Sequence, residues 1–188
     1  AFIVHFFSFV LCGIALVQER TAGTLETMFI SGCSRTSILA GYVIGYFCLS
    51  ALQATVALIE TIWLMDLSYG NTTLFLLFIT ILMLSIVSVM LSIFASTFAR
   101  HAGHILPFIP LVMIPSIFLS GLLVDTVLLP TWAEFVGMLL PFHYANNIIQ
   151  ELIGPKPEAK VISSNLLILT GYIGALLLIA SRTLKETD

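Results

Sequence analysis

The sequence predicts an all-α fold, a polytopic bundle of membrane-spanning helices. Three observations carry that prediction. Charge is scarce: of 188 residues, seven are Lys or Arg and ten are Asp or Glu, 9% in all. A soluble domain is about 25% charged, because its surface must face water. The charges also leave uncharged stretches at 1–18, 36–59, 67–99, 101–124 and 161–181. Each can hold the roughly 17–25 apolar residues that a helix needs to cross a bilayer. Finally, the stretches lack the period-two alternation of a barrel strand, and backbone in lipid must satisfy its own hydrogen bonds, so they are helices. The 59% apolar content and net charge of −3 exclude an ordinary soluble enzyme, a disordered segment and a nucleic-acid binder, which needs a basic footprint.

In chain order, spans are expected near 1–17, 37–64, 74–98, 105–124 and 161–181. The turn Ser68-Tyr69-Gly70-Asn71-Thr72-Thr73 separates the second from the third, and Arg100-His101-Ala102-Gly103-His104 the third from the fourth. Cys12, Cys33 and Cys48 show no paired spacing and read as small apolar residues, not as a disulfide or metal framework. His101-x-x-His104 alone does not supply the three or four ligands that zinc takes. The chain begins at Ala1 inside an apolar run, so the sequence is expected to be part of a longer protein with a span ahead of the first. Placing 18–36 in the cytoplasm puts Arg20, Arg35, Arg100, Arg182 and Lys185 inside and only Lys156 and Lys160 outside. The positive-inside rule favours that arrangement, with the N-terminus outside and the C-terminus inside a plasma membrane.

Two stretches between spans are irregular. In 18–36, Gly23 precedes an acidic Glu26 in the first turn of a short helix, where the helix dipole favours it. Leu25, Met28 and Phe29 fall on one face at helical spacing. Ser31-Gly32 ends this helix, and Ser34 is suited to cap the next. The expectation is a short amphipathic helix along the inner surface, either an interfacial anchor or a docking element for a cytosolic partner. In 125–160 the uncharged middle is too short to span and is broken by Pro141. It is expected to form outer re-entrant or interfacial helices, with Trp132, Phe142 and Tyr144 at headgroup level.

These residues resemble the ABC-2 type permeases, the membrane subunits of ATP-driven exporters. Glu19-Arg20-x-x-Gly23-Thr24-Leu25-Glu26 is similar to the family's motif entering its coupling helix. Ser34-Arg35 and Gly41-Tyr42 are similar to the start of the next helix, and Ser96-Thr97-Phe98-Ala99-Arg100 to the inner end of another. Phe108-Ile109-Pro110-Leu111-Val112, Pro115 and Leu119-Ser120-Gly121-Leu122 follow, then Leu129-Pro130-x-Trp132 and Leu140-Pro141-x-x-Tyr144-Ala145. Gly32 and Ser37 depart from the family's usual Pro and acidic residue. The resemblance implies a single ABC-2 transmembrane domain over 1–188 that lacks its first span. It implies ATPase coupling through Glu19, Arg20, Gly23, Thr24, Leu25, Glu26, Phe29 and Arg35, pairing of two permease subunits (homo- or heterodimer), and a partner ABC ATPase that binds ATP and Mg. No Gly-x-x-x-x-Gly-Lys-Ser/Thr phosphate loop occurs in this chain, so it binds no cofactor itself.

Other residues carry two readings each. Gly41 with Gly45, and Ser85, Ser88, Ser92 and Ser96, are small residues at spacings that let backbones approach, within one chain or at a dimer seam; Gly171 and Gly174 repeat the pattern. Glu60 is an acidic residue in an otherwise uncharged span. It lies about 35 Å along its helix, which reaches the outer interface beside Trp63. Gln53 either bonds a neighbouring helix or lines a substrate path, and His5 is similarly placed. Pro107, Pro110 and Pro115 bend or hinge the fourth span. The function expected is a permease that exports a hydrophobic or amphipathic substrate of drug, lipid or glycan type by alternating access. The alternatives are a membrane-embedded enzyme such as an intramembrane hydrolase, for which no Ser-x-x-Lys or Gly-x-Ser-x-Gly motif is present, and a non-transporting assembly subunit.

Overall fold

The computed structural model describes residues 1–32, 34–65, 70–99, 102–124, 129–154 and 157–183. Among them the regular structure is entirely helical. The α-helices are α1 (Phe2–Thr21), α2 (Thr24–Ile30), α3 (Arg35–Met65), α4 (Asn71–Ser96), α5 (Phe108–Phe118), α6 (Thr131–Met138), α7 (Pro141–Ile153) and α8 (Ala159–Thr183), with a 3₁₀ turn at Ala102–Ile105. By length and composition, α1, α3, α4 and α8 can cross a membrane.

Helix α4 is the centre of the bundle, with α1, α3, α7 and α8 packed around it. Of its apolar length 56% is buried, against 11% for α3. The sequence explains why. Ser85, Ser88, Ser92 and Ser96 recur every three or four residues and are all buried, so α4 presents a narrow stripe on which α1 settles closely. A methyl group added at Gly13 of α1 would stand 2.6 Å from Ser92 Oγ and 3.1 Å from Ile105. Hydroxyls in an apolar interior need acceptors. Ser85 donates to the Ile81 carbonyl at 2.9 Å and Ser88 to Leu84 at 2.6 Å, while Ser92 donates across to the Phe9 carbonyl of α1.

The stretch 105–124, expected as one span, is not one long helix: it begins at the end of the 3₁₀ turn and holds α5, eleven residues and about 16 Å long. Pro107 precedes the helix, Pro115 lies inside it, and the chain turns at Leu119-Ser120 before Gly121 at φ +82°. Each proline removes a backbone donor, so one unbroken long helix does not form here. Among the described residues four single helices are long and apolar enough to cross a membrane, where the sequence predicts five spans.

Within 125–160 the described residues form the pair α6 and α7. Pro141 opens α7 at a position where its missing N–H costs nothing. Phe142, Ala145, Ile148 and Leu152 face Leu77 and Leu84 of α4 and Ile162 and Leu169 of α8. On the opposite side Asn146 donates to the Ser120 carbonyl at 3.1 Å and Gln150 to the Gly121 carbonyl at 3.0 Å. These amides satisfy carbonyls just beyond the end of α5, and they tie it to α7.

His143 lies on α7, where Asn147 donates to its Nε2 at 3.1 Å. Burial holds His143 below its ordinary value of 6.5, against the opposing pull of the Glu134 carboxylate. The fold thus favours the neutral ring. As pH falls below about 6.5, the unfolded segment takes up a proton that the folded one resists, so α7 loses stability. We expect amide protection across 142–150 to fall between pH 7.5 and roughly 5.5, and His143→Gln to flatten that dependence. Equal pH profiles for the two proteins would refute it.

Candidate functional site at the elbow of α1, α2 and α3

Helix α1 runs past residue 17 to Thr21 because nothing in Gln18-Glu19-Arg20 breaks it, so Glu19 and Arg20 belong to its last turn. The chain reverses at Gly23, whose φ of +74° suits glycine. The seven-residue α2 follows and is too short to persist alone. It is held at both ends. Thr24 donates its hydroxyl to the Glu19 carbonyl at 2.8 Å, and Thr27 to the Gly23 carbonyl at 3.0 Å. At the other end Ser31 donates to the Met28 carbonyl at 2.8 Å, and Gly32 at φ +87° reverses the chain again. Ser34 Oγ then accepts the Ser37 N–H at 3.2 Å, an N-cap on α3.

Two tyrosines one turn apart close the elbow. Tyr42 of α3 donates its hydroxyl to the Glu19 carboxylate, and Tyr46 donates to the Leu11 carbonyl at 3.3 Å. Between them lies a cavity of about 440 Å³ lined by Glu19, Met28, Ser37, Gly41 and Gly45 among others. The structure thus brings Glu19, Gly23, Thr24 and Met28 of the elbow together with Gly41 and Gly45. Among the described residues, a methyl added at either glycine would meet nothing within 4 Å. They form an open floor. The side chains of Arg20, Leu25, Glu26, Phe29 and Arg35 lie outside what the structure describes, as do Cys33, Asp66, Arg100, His101, Asp125, Lys156 and Lys185.

Elsewhere, away from the elbow, Ser88 and Ser92 meet His5 and Phe9 of α1, and Ser85 is buried on α4. Gln53 accepts a hydrogen bond from Ser8 of α1 at 3.1 Å. Pro110 lies in the first turn of α5 and Pro115 in its interior. His5 and Ser88 approach to 2.5 Å, a pairing that superficially suits a nucleophile and its base. The proton count argues otherwise. The single hydroxyl hydrogen of Ser88 goes to Leu84, so His5 Nδ1 donates to Ser88 and does not accept from it. Both residues are fully buried, leaving no room for a substrate. Sequence reasoning missed the tyrosine clasp and the Asn146–Gln150 tie. The signals were the four-residue spacing of Tyr42 and Tyr46 on the glycine face, and of Asn146 and Gln150 opposite an apolar stripe.

Several long apolar helices joined through a short polar-flanked helix define a multi-pass membrane protein. More particularly, residues 1–153 match the ABC-2 type transporter family, and the chain belongs to it. It is 25% identical over 138 residues to the linearmycin resistance permease protein LnrN of Bacillus subtilis, covering 73% of this chain and 35% of that protein. It is 26% identical over 178 residues to ABC transporter G family member 20 of Dictyostelium discoideum (93% and 24%). With the probable multidrug ABC transporter permease YbhR of Escherichia coli it shares 23% over 170 residues (88% and 46%). The chain therefore spans less than half the length of these relatives.

Proposed function

We propose that the chain is the permease part of an ATP-driven exporter for hydrophobic or amphipathic substrates, with α2 as its coupling helix. The observation that carries this reading is the elbow. Thr24 binds α2 to the Glu19 carbonyl, and the carboxylate of the same residue accepts from Tyr42, so α2 is fixed at once to α1 and α3. A push on α2 from closing ATPase subunits, which hold the ATP and Mg, would be passed to two spanning helices together. The bundle would then rock between inward and outward openings, and the coupling is the free energy the two sites share. The multidrug and resistance permeases among the relatives support export across the plasma membrane. The open Gly41–Gly45 floor and the largely unburied α3 support pairing with a second permease subunit, and the excess of basic residues at 18–36 and the C-terminus supports a cytoplasmic elbow.

The test is reconstitution of the full-length permease with its cognate ATPase in liposomes. We expect ATP hydrolysis to rise several-fold when the permease is present and to drive efflux of an amphipathic dye. Hydrolysis that is indifferent to the permease, with no dye movement, would favour an assembly subunit instead.

A further inference from the structure

A second cavity, of about 350 Å³, lies between the N-terminal half of α1 and the C-terminal half of α3. Its walls are mostly apolar, including Ile3 and Phe7 of α1 and Leu52 and Val56 of α3, and three polar side chains interrupt them, Gln53, Glu60 and Thr61, the last with its hydroxyl donated to the Ala57 carbonyl at 2.6 Å. That volume is in the range of small-molecule sites, which combine apolar walls with a few placed polar groups. Glu60 is exposed toward the C-terminal end of α3 and lines this cavity. Gln53 lies two turns away, about 10 Å along the helix. Ser8 occupies its carbonyl oxygen at 3.1 Å, so its NH₂ group is the part left for a ligand.

We propose that this cavity binds an amphipathic cation, with its charge at Glu60 and its apolar body against Phe7, Leu52 and Val56. As an assignment of substrate class this rests on the permease reading; the binding itself does not. The charge follows from the carboxylate, and the apolar body from the walls. A carboxylate beside an apolar slot favours a cation over a neutral molecule of equal size, because only the cation is attracted by its charge.

The experiment is equilibrium binding to the full-length permease in nanodiscs of uncharged phosphatidylcholine, with no ATP. The probes are tetraphenylphosphonium and neutral triphenylphosphine oxide, which share their aryl groups. We expect saturable tetraphenylphosphonium binding that weakens at least about tenfold in Glu60→Gln, while triphenylphosphine oxide changes less than about twofold. Val56→Trp, which fills the slot, should weaken both. Tetraphenylphosphonium binding unchanged by Glu60→Gln, or both probes weakened equally by it, would overturn the proposal. Because ATP is absent, failure of transport leaves this result standing, and loss of binding leaves the coupling test standing.

Discussion

We expect ATP-driven transport to fall to background when Glu26 is replaced by Lys or Phe29 by Asp, with both variants reaching the membrane in normal amounts. The expectation follows from the shape of α2. It is a seven-residue helix set off by left-handed glycines, Gly23 at φ +74° and Gly32 at φ +87°, so a substitution on it leaves the helical backbone of the spans intact. The bonds of Thr24 and Tyr42 to Glu19, which would carry a push to the spans, are untouched by either variant. Glu26 lies near its N-terminus, where an acidic residue contributes roughly 0.3–1 kcal/mol through the helix dipole. Lysine reverses that contribution and also the charge offered to a partner. Phe29→Asp puts a charge at an apolar position of the same helix. The measurements are dye efflux and permease-stimulated ATP hydrolysis, with Glu26→Gln as the conservative comparison. Normal transport in both reversed variants would show that α2 is only an interfacial anchor.

The second large effect concerns assembly. Gly13→Leu is expected to destabilise the bundle by roughly 1–3 kcal/mol, the usual cost of overpacking, or to prevent the protein accumulating. Ser92 Oγ already stands 2.6 Å from where a methyl would sit at Gly13, and two carbons of Ile105 stand at 3.1 Å. Ser92 cannot withdraw without leaving the Phe9 carbonyl. Gly171→Leu is the contrast, since nothing lies within 4 Å of a side chain added there. Thermal unfolding in detergent should separate the two variants clearly. Gly13→Ala combined with Ser92→Ala should recover part of the loss, because the two residues are in direct contact and do not act additively. Equal stability of the two glycine variants would mean that α1 and α4 are not closely apposed.

The elements differ in how readable they were. The apolar runs around α1, α3, α4 and α8 are long and uncharged, and length with hydropathy suffices to mark them. The run at 105–124 shares that composition, but Pro107 and Pro115 and the turn at Gly121 shorten it to α5. Hydropathy cannot register this, because the limit is imposed by backbone donors and not by side-chain polarity. The caps at Gly23, Gly32 and Ser34 are legible because their causes are local. Gly41 and Gly45 were ambiguous, since close packing and an open floor ask for the same small residues. Glu60 and Gln53 sit two turns apart on one helix, yet that they share a cavity depends on where α1 lies.

The sequence by itself determined the solvent, the helical class, a short helix within 18–36 and the resemblance to a permease family. All of these follow from composition, period and neighbours in the chain. Only the tertiary structure decided that Tyr42 reaches the Glu19 carboxylate, that Ser92 bonds the Phe9 carbonyl, and that Asn146 and Gln150 secure the end of α5. These contacts join residues 23 to 83 positions apart. A hydroxyl or an amide looks the same in any span, and its role is set by which acceptor the packing of another helix brings within about 3 Å.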